Sequence, residues 1–413
     1  MTQLNRRLLI GSGAAAAAMS GLPALAQGQT VKLAYIDPLS GAFANVGDSG
    51  LKHFQYEAAR INAAGGFGGA KMEVAGFDGK TNPKESIIQL EKAIDQGFRF
   101  VTQGNGSSVA AAIIEAIEKH NERNPNQTVL FLNYAAVDPV FTNDKCSFWH
   151  FRFDADADMK MGAMTDYIKG LADIKKVYII GQDYSFGKAV ADSAVAMLKQ
   201  KRPDIEIVGN ELHPLGRVRD FLPYVTKMRA AGAQAVITGN WGTDMTLLIK
   251  AASDSGFNVP FFTYYGGGLG APTAMGKSAV GLVKQVTEWH SNIPDTGLDQ
   301  TVVDFKKQYN IDYYYFRVRV LMDMLAAAMK KAGSSDPRKV AFALEGLELD
   351  ASTGKAWMRR DNHQLIQPLY ISTYSEGVKF DLENTGFGFK TDAKIDGKAT
   401  ETPTTCKMQR PAS

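Results

Sequence analysis

The sequence contains few of the residues that build reactive or metal-binding sites. Its 413 residues include only two cysteines and six histidines. The histidines show no metal-ligand spacing, and the cysteines lie too far apart in sequence to form a zinc knuckle. No motif combines a nucleophile, a base and an orienting group. We therefore predict a protein without a metal, a cofactor or a catalytic centre, and an exported hydrolase is disfavoured.

Charge of one sign and long apolar runs are also scarce. The formal net charge is +3. Removal of an N-terminal segment whose charged residues are Arg6 and Arg7 lowers +3 by two, to +1. Such near-neutrality gives no support to binding of nucleic acid or of a membrane surface. Beyond that segment, no stretch offers the roughly 18 apolar residues of a membrane-spanning helix.

Residues 1–26 have the three parts of a bacterial export signal. Arg6 and Arg7 precede an Ala- and Gly-rich apolar run, and Pro23 is followed by an Ala-Leu-Ala sequence that ends at Ala26. This order predicts cleavage after about Ala26 and a mature protein in the periplasm. The paired arginines leave the twin-arginine and the general export routes both open. The alternative is a membrane-anchoring helix, which the glycines and Pro23 disfavour.

Both cysteines, Cys146 and Cys406, fall in the exported part of the chain. In an oxidising compartment, two cysteines that meet in the fold are expected to pair. We predict a disulfide that ties the C-terminal tail to the segment before Phe148. The alternative is two separate free thiols.

Apolar runs and helical patterns alternate along the mature chain. Short apolar strands begin at Val31, and amphipathic helical patterns separate them as far as residues 128–133. This alternation predicts a parallel sheet with helices on both faces. The aromatic segment 148–153 interrupts the pattern, and a second series of strands and helices starts after it. With the length of the chain, the interruption predicts two α/β domains, each a doubly wound parallel sheet.

Loops that follow the predicted strands are the candidate ligand site, because small molecules bind outside the carboxyl ends of strands in doubly wound sheets. Among them, Gly104-Asn105-Gly106-Ser107-Ser108 links an apolar strand to a helical pattern. Glycines allow a ligand to approach the backbone, and the helix N-terminus favours a carboxylate. The alternative is an ordinary helix cap, where serine and asparagine are also preferred.

Six stretches of the mature chain follow one another in a distinctive order. They are Pro38-Leu39-Ser40-Gly41 with Gly47, Ile61-Asn62-Ala63-Ala64-Gly65-Gly66, Asp78 with Asn82-Pro83-Lys84, Gly106-Ser107-Ser108, Tyr184-Ser185-Phe186-Gly187, and Lys227-Met228-Arg229-Ala230-Ala231-Gly232-Ala233. Together they resemble the type I periplasmic solute-binding proteins of ABC importers, specifically the leucine/isoleucine/valine-binding family. The resemblance spans nearly all of the mature chain.

The resemblance implies two lobes that are joined by three crossings and close on one small molecule. The first lobe would comprise residues 27–152 and 292–355. The second would comprise residues 153–291 and 356–413, including the C-terminal tail. Hinges are then expected near Arg152, Ser291 and Lys355. The closed protein would dock, as a monomer, on the permease subunits of an ABC transporter.

The resemblance also implies a set of ligand-binding residues. In the family, a serine at the position of Ser107 binds the ligand carboxylate, and the carbonyl at the position of Ala135 takes the ligand amine. Aromatic residues at the places of Phe186 and Trp241 cover the ligand from the second lobe. The neighbouring candidates from the same strand-end loops are Asn105, Ser108, Tyr134, Tyr264 and Tyr265.

Two positions depart from the pattern of amino-acid binders. Val137 stands where those proteins place a hydroxyl, and Tyr265 stands where they place a glutamate opposite the ligand ammonium. Burying an ammonium without a counter-charge costs several kcal/mol or more. We therefore predict a ligand without a free α-ammonium, such as an aromatic or aliphatic carboxylate or a small amide. The alternatives are a binder of branched-chain or other amino acids and a periplasmic sensor subunit.

Overall fold

The computed structural model describes residues 30–412. The export signal expected in residues 1–26 lies outside them. In the part of the chain that is described, no helix is both long and apolar enough to cross a bilayer.

The described residues form fifteen strands and twelve α-helices. The strands are β1 Thr30–Asp37, β2 Lys71–Asp78, β3 Phe100–Gln103, β4 Leu130–Asn133, β5 His150–Arg152, β6 Lys176–Gln182, β7 Glu206–His213, β8 Ala235–Thr238, β9 Phe261–Thr263, β10 Val283–Thr287, β11 Glu348–Ala351, β12 Gly354–Met358, β13 Leu365–Ile366, β14 Leu369–Glu376 and β15 Phe387–Ile395. The helices are α1 Ala44–Ala63, α2 Pro83–Asp95, α3 Ser107–Arg123, α4 Ala157–Lys169, α5 Ser185–Lys201, α6 Leu222–Ala230, α7 Gly242–Asp254, α8 Ala271–Met275, α9 Asp299–Tyr309, α10 Phe316–Ala332, α11 Pro337–Leu344 and α12 Gly397–Thr400.

The first lobe is built on a five-stranded sheet in the order β2-β1-β3-β4-β5. All of its pairings are parallel, with Ile36 opposite Phe77 and Thr102 opposite Leu132. Every residue of β3 and β4 is buried, as expected for strands that are covered by helices on both faces. The helices that contribute to this core include α1, α3 and α10.

The second lobe is built on a seven-stranded sheet in the order β15-β14-β10-β9-β8-β6-β7. Strands β7, β6, β8, β9 and β10 pair in parallel, in that order. Strands β14 and β15 extend the β10 edge of the sheet in antiparallel pairing. The predicted architecture of two doubly wound α/β lobes is confirmed. The antiparallel edge was not expected, because a strand's direction depends on the connection that delivers it.

Three connections join the lobes, and two of them lie near the predicted hinges. The first follows β5, which ends at Arg152. The second follows β10, because Val286 belongs to the second core and Trp289 already packs in the first. The third lies at β13, where Leu365 packs in the first core and Ile366 in the second.

The predicted third crossing at Lys355 was therefore wrong. Strand β12 pairs with β11 and β13 in a small antiparallel sheet, and its Ala356 and Met358 lie in the first core. Ala356, Met358 and Leu365 thus extend the first lobe, while Trp357 between them packs against the second core. Apolar spacing identifies a strand, but it does not say which of two cores the strand will join.

The C-terminal tail also returns to the first lobe, in contrast to its predicted place in the second. The predicted disulfide between Cys146 and Cys406 is confirmed, and it joins residues 260 apart in sequence. Beside it, the Thr404 hydroxyl donates a hydrogen bond to the Thr142 carbonyl at 2.6 Å, and Met408 packs against the first core. A covalent bridge of such long range fixes the tail where sequence pattern gives no guide.

Replacing Cys146 and Cys406 together by serine should lower the free energy of unfolding of the first lobe by about 2–5 kcal/mol, because the bridge restricts the unfolded chain. Urea unfolding of the oxidised protein and of the double variant measures the difference. Oxidised protein treated with a reductant is the control and should match the variant. Equal midpoints for the variant and the oxidised protein would show that the bridge does not stabilise the fold.

Candidate functional site

A cavity lies between the two lobes, at the carboxyl ends of their strands. Its empty volume is about 560 Å³, including space open to solvent. The lining residues come from loops of both lobes and from the start of α10. They are Val46, Gly104, Asn105, Gly106, Ser107, Tyr134, Ala135, Val137, Tyr184, Phe186, Trp241, Gly242, Tyr265, Gly268, Leu269, Tyr315 and Arg317.

The first-lobe wall is formed by the loop between β3 and α3. Gly106 precedes the helix with a φ of 102°, a conformation that favours glycine, and no side chain caps the helix. Ser107 is the first helical residue; it is buried and lines the cavity. The side chains of Asn105 and Ser107 therefore do not cap helix α3. The backbone N–H groups of a helix N-terminus attract a carboxylate.

A buried carboxylate, Asp37 at the end of β1, fixes this loop from behind. It accepts hydrogen bonds from the backbone N–H groups of Asn105 at 2.9 Å and Gly104 at 3.2 Å, and from the Tyr134 hydroxyl at 2.8 Å. The Asn105 side chain donates to the same Tyr134 hydroxyl at 2.9 Å. A Cβ on Gly104 would lie 2.6 Å from the Tyr134 ring, so only glycine fits there. Asn105 and Tyr134 thus hold the loop as well as line the cavity.

The environment of Asp37 also changes its ionisation. Burial raises its pKa from 3.8 to about 6, although the hydrogen bonds from Asn105 and Tyr134 act in the opposite direction. The carboxylate that positions the loop therefore gains its charge just below neutral pH.

The second-lobe wall is aromatic. Phe186 is the second residue of α5, and the hydroxyl of nearby Tyr184 accepts a hydrogen bond from Trp241 Nε1 at 2.8 Å. Trp241 also packs on Phe43 of the first lobe, with ring centroids 4.3 Å apart. Next to this pair, the Thr243 hydroxyl donates to the carbonyl of the first-lobe residue Ala42 at 2.7 Å. The aromatic cover therefore reaches across the cleft and contacts the opposite lobe.

Arg317 is the one charged residue among those that line the cavity. Its Nη1 donates to Glu288 Oε1 at 2.7 Å, and its Nε lies 3.7 Å from Asp154 Oδ2. Lys160 Nζ contacts the same Asp154 oxygen at 2.9 Å. All four side chains are almost fully buried, and two positive charges balance two negative ones.

The two carboxylates of this group respond differently to the same surroundings. Burial raises the pKa of Asp154 despite its contacts with Lys160 and Arg317. Burial acts in the same direction on Glu288, but the charges of Arg317 and Lys160 outweigh it, so the pKa of Glu288 is lowered. Both acids are already matched to a buried cation.

Eight of the ten predicted ligand-binding residues line the cavity: Asn105, Ser107, Tyr134, Ala135, Val137, Phe186, Trp241 and Tyr265. Ser108 and Tyr264 do not. Ser108 is exposed, because one residue further along a helix turns the side chain about 100° away. Tyr264 is buried, and its hydroxyl donates to the Ala157 carbonyl at 2.7 Å.

Sequence reasoning missed Arg317, Tyr315 and Asp37. Asp37 directly precedes the turn residues Pro38 to Gly41, and Tyr315 belongs to a run of aromatic residues, so neither has the local pattern of a ligand site. Arg317 lies in α10, and no local pattern distinguishes it from a surface arginine. No group of three or more histidine, cysteine, aspartate or glutamate side chains within residues 30–412 could hold a metal ion.

Two α/β lobes on parallel sheets, three connections and a cleft lined from both lobes define a two-lobed solute-binding protein. The profile of the family described as Periplasmic binding protein matches residues 30–379. The chain belongs to this family of solute-binding proteins, which are non-enzymatic components of ABC transport, and to its type I, leucine/isoleucine/valine-binding branch.

Similar proteins cover almost the whole chain. "Leu/Ile/Val-binding protein homolog 4" of Brucella melitensis is 29% identical over 99% of this chain and 100% of its own length. A crystal structure of the leucine-, isoleucine-, valine-, threonine- and alanine-binding protein of Brucella ovis, in its closed conformation, is 30% identical. It matches with a TM-score of 0.83 over 93% of this chain and 100% of that one.

A more distant structure has the same fold. It is a solute-binding protein of an ABC transporter of Rhodopseudomonas palustris in complex with 3,4-dihydroxy benzoic acid. The two chains are 19% identical, with a TM-score of 0.75 over 89% of this chain and 98% of that one.

Ser107→Ala should weaken binding of the tightest small carboxylate found in a thermal-shift screen by about 1–3 kcal/mol, or 5- to 150-fold, because a buried ligand contact is lost. Calorimetric titration measures the change. Ser108→Ala is the matched control: it removes the same hydroxyl one residue away, at an exposed position, and should leave the affinity unchanged. Equal effects of the two substitutions would exclude Ser107 as a specific ligand contact.

Asp37 should make the folded protein lose stability as pH rises. Because its folded pKa of about 6 exceeds 3.8, its stabilising contribution is complete below about pH 4 and is lost as pH rises through 6. Relative to Asp37→Asn, the native protein should lose about 3 kcal/mol of unfolding free energy between pH 4 and 7. Urea unfolding at several pH values measures this difference.

Asp48→Asn is the control for the pH series, because Asp48 is exposed on α1 and pairs only with Lys52. This variant should lower the free energy of unfolding by less than about 1 kcal/mol, because exposed ion pairs contribute little. A pH-independent difference for Asp37→Asn would contradict a raised pKa at Asp37.

Proposed function

We propose that this chain is the periplasmic receptor of an ABC importer for a small carboxylate or amide that lacks a free α-ammonium. The observation that carries the proposal is the composition of the cavity lining. No aspartate or glutamate lines it, and its one charged side chain is the cation Arg317. An aromatic or aliphatic acid would suit such a lining.

An ammonium group would have no counter-charge in this cavity. Asp154 and Glu288 contact Arg317, which lines the cavity. Both already form ion pairs, Asp154 with Lys160 and Glu288 with Arg317. Asp244 does not line the cavity; its Oδ2 accepts hydrogen bonds from the Gln182 side chain and the Gly216 backbone. Burying an unmatched charge costs several kcal/mol, which is enough to reduce a micromolar affinity beyond practical detection.

A carboxylate, in contrast, has a prepared position. The N-terminus of α3 with Ser107 offers hydrogen-bond donors, and Asp37 fixes the loop that presents them. On the opposite side, Phe186, Trp241 and Tyr265 offer an aromatic surface for the rest of the ligand. Val137 adds an apolar contact where an amino-acid binder would have a hydroxyl.

Ligand contacts from both lobes would favour the closed form. The closed protein would then deliver its ligand to membrane permease subunits, with residues 1–26 serving as the export signal. A sensor subunit would share the same cleft but would co-purify with a membrane receptor in place of a permease.

Binding of a branched-chain amino acid is the second candidate function. The Brucella ovis protein, 30% identical over its full length, is named for leucine, isoleucine, valine, threonine and alanine. The Rhodopseudomonas palustris structure supports the fold alone at 19% identity, yet it shows that this fold accommodates an aromatic acid. The two candidate functions differ in whether the ligand carries an ammonium group, and the absence of an acid from the cavity lining favours a ligand without one.

Calorimetry with matched ligands tests the proposal. 4-Methylpentanoate is leucine without its ammonium, and 3-phenylpropanoate is phenylalanine without it. At least one of these acids should bind tenfold or more tightly than its amino acid. 3-Methylbutylamine, which is leucine without its carboxylate, is the control and should not bind. Micromolar binding of leucine or valine, with no binding of the acids, would instead establish an amino-acid receptor.

A further inference from the structure

A second cavity lies directly behind the first. Its empty volume is about 520 Å³, including space open to solvent. It is bounded by the second connection between the lobes, residues 289–292, by the segment 313–315 before α10, and by the loop after β9. Tyr264, which does not reach the first cavity, lines this one.

The two cavities share one wall, formed by Tyr265, Gly268, Tyr315 and Arg317. This shared wall is formed largely by side chains, and a buried cation contacts each of its two tyrosine rings. Lys160 Nζ lies 4.8 Å from the centre of the Tyr265 ring, and the Arg317 guanidinium lies 4.9 Å from that of Tyr315. The two cavities are therefore neighbours on either side of Tyr265 and Tyr315.

One buried donor in the shared wall has an ion-pair contact but no hydrogen bond: Arg317 Nε lies 3.7 Å from Asp154 Oδ2. Arg317 is 4% exposed, and its Nε forms no hydrogen bond among the described residues. Such unsatisfied buried donors are rare in native proteins and call for an explanation. A polar group of a ligand that lies along the shared wall would supply the missing acceptor.

The second cavity is suited to the uncharged part of a molecule. Apart from Arg317, whose charge is matched by Glu288 and Asp154, its lining holds only neutral groups at pH 7. Burial lowers the pKa of His290 to about 4, so this ring is neutral as well. The remaining surface is mainly aromatic, with the amides of Gln285 and Asn292 at its edge.

We propose that the two cavities form one elongated site, and that the ligand is a monocarboxylate whose neutral tail extends past Tyr265 into the second cavity. This inference rests on the proposed function, in which the carboxylate is bound at Ser107. It adds a lower limit to the length of a tightly bound ligand. It also implies that the residues around Ser291 determine which ligand lengths bind tightly.

Calorimetry with straight-chain acids of four to ten carbons tests the length. Each buried methylene contributes about 0.8 kcal/mol, so affinity should rise about threefold to fourfold per carbon once the tail passes Tyr265. Affinity that reaches its maximum with the shortest acids and then falls would overturn the second-cavity proposal.

Ser291→Phe would fill the second cavity, which Ser291 lines from the second connection. It should weaken the longest acid tenfold or more and change the shortest acid by less than twofold. Ser291→Ala is the matched control and should change neither, and Ser291→Leu is the smaller filling variant if the phenylalanine prevents folding. Equal weakening of short and long acids would overturn the proposal.

The same series is also run with the corresponding 2-amino acids. If only the amino acids bind, the proposed function fails, and their dependence on length and on Ser291→Phe still decides whether the second cavity is used. Binding of neither series would overturn both proposals.

Discussion

Four buried charges lie where the two lobes meet, and the chemistry of the cleft depends on how they are paired. Asp154 follows the first connection, Glu288 follows β10, Lys160 lies on α4 and Arg317 on α10. Charges buried this deeply are stable only when they are matched and hydrogen-bonded. The four charges balance one another, so the group links the two lobes near the first two of the three connections without a net charge. Among the residues that line the cleft cavity, none is an aspartate or a glutamate.

The two walls of the cleft differ in chemical character. The first-lobe wall is polar and offers hydrogen-bond donors, since Asp37 holds the loop that begins α3 in one arrangement. The second-lobe wall offers aromatic surface, and Trp241 reaches across to Phe43. An acid with an apolar body would satisfy both walls, whereas a zwitterion would satisfy only part of the first.

Local sequence pattern was sufficient for the architecture, and most of the residues it singled out as ligand contacts line one cavity. Strand-helix alternation predicted the two lobes, and strand-end loops together with the family resemblance predicted residues such as Ser107, Ala135, Phe186 and Trp241. Ser108 was predicted as a ligand contact because it follows Ser107 in the loop sequence, but its side chain points away from the cavity because both residues lie on helix α3. The third connection was misplaced at Lys355 because short strands carry no mark of the core they join.

Residues that act through distant partners could not be found in this way. The Asp37 carboxylate meets Gly104, 67 residues later in the chain, and its local pattern is that of a turn. Arg317 is recognisable as a site residue only when Glu288 and the shared wall of the two cavities are seen beside it. Both depend on how separate strands and helices are brought together, which is a property of the tertiary fold.

Native mass spectrometry of the protein, purified from periplasm without unfolding, tests the central claim most directly. A carried-over ligand can be ejected, its mass measured and its functional groups identified by fragmentation. The account predicts a small carboxylic acid or amide without an α-amino group. Leucine, isoleucine, valine or another α-amino acid as the retained ligand would contradict it.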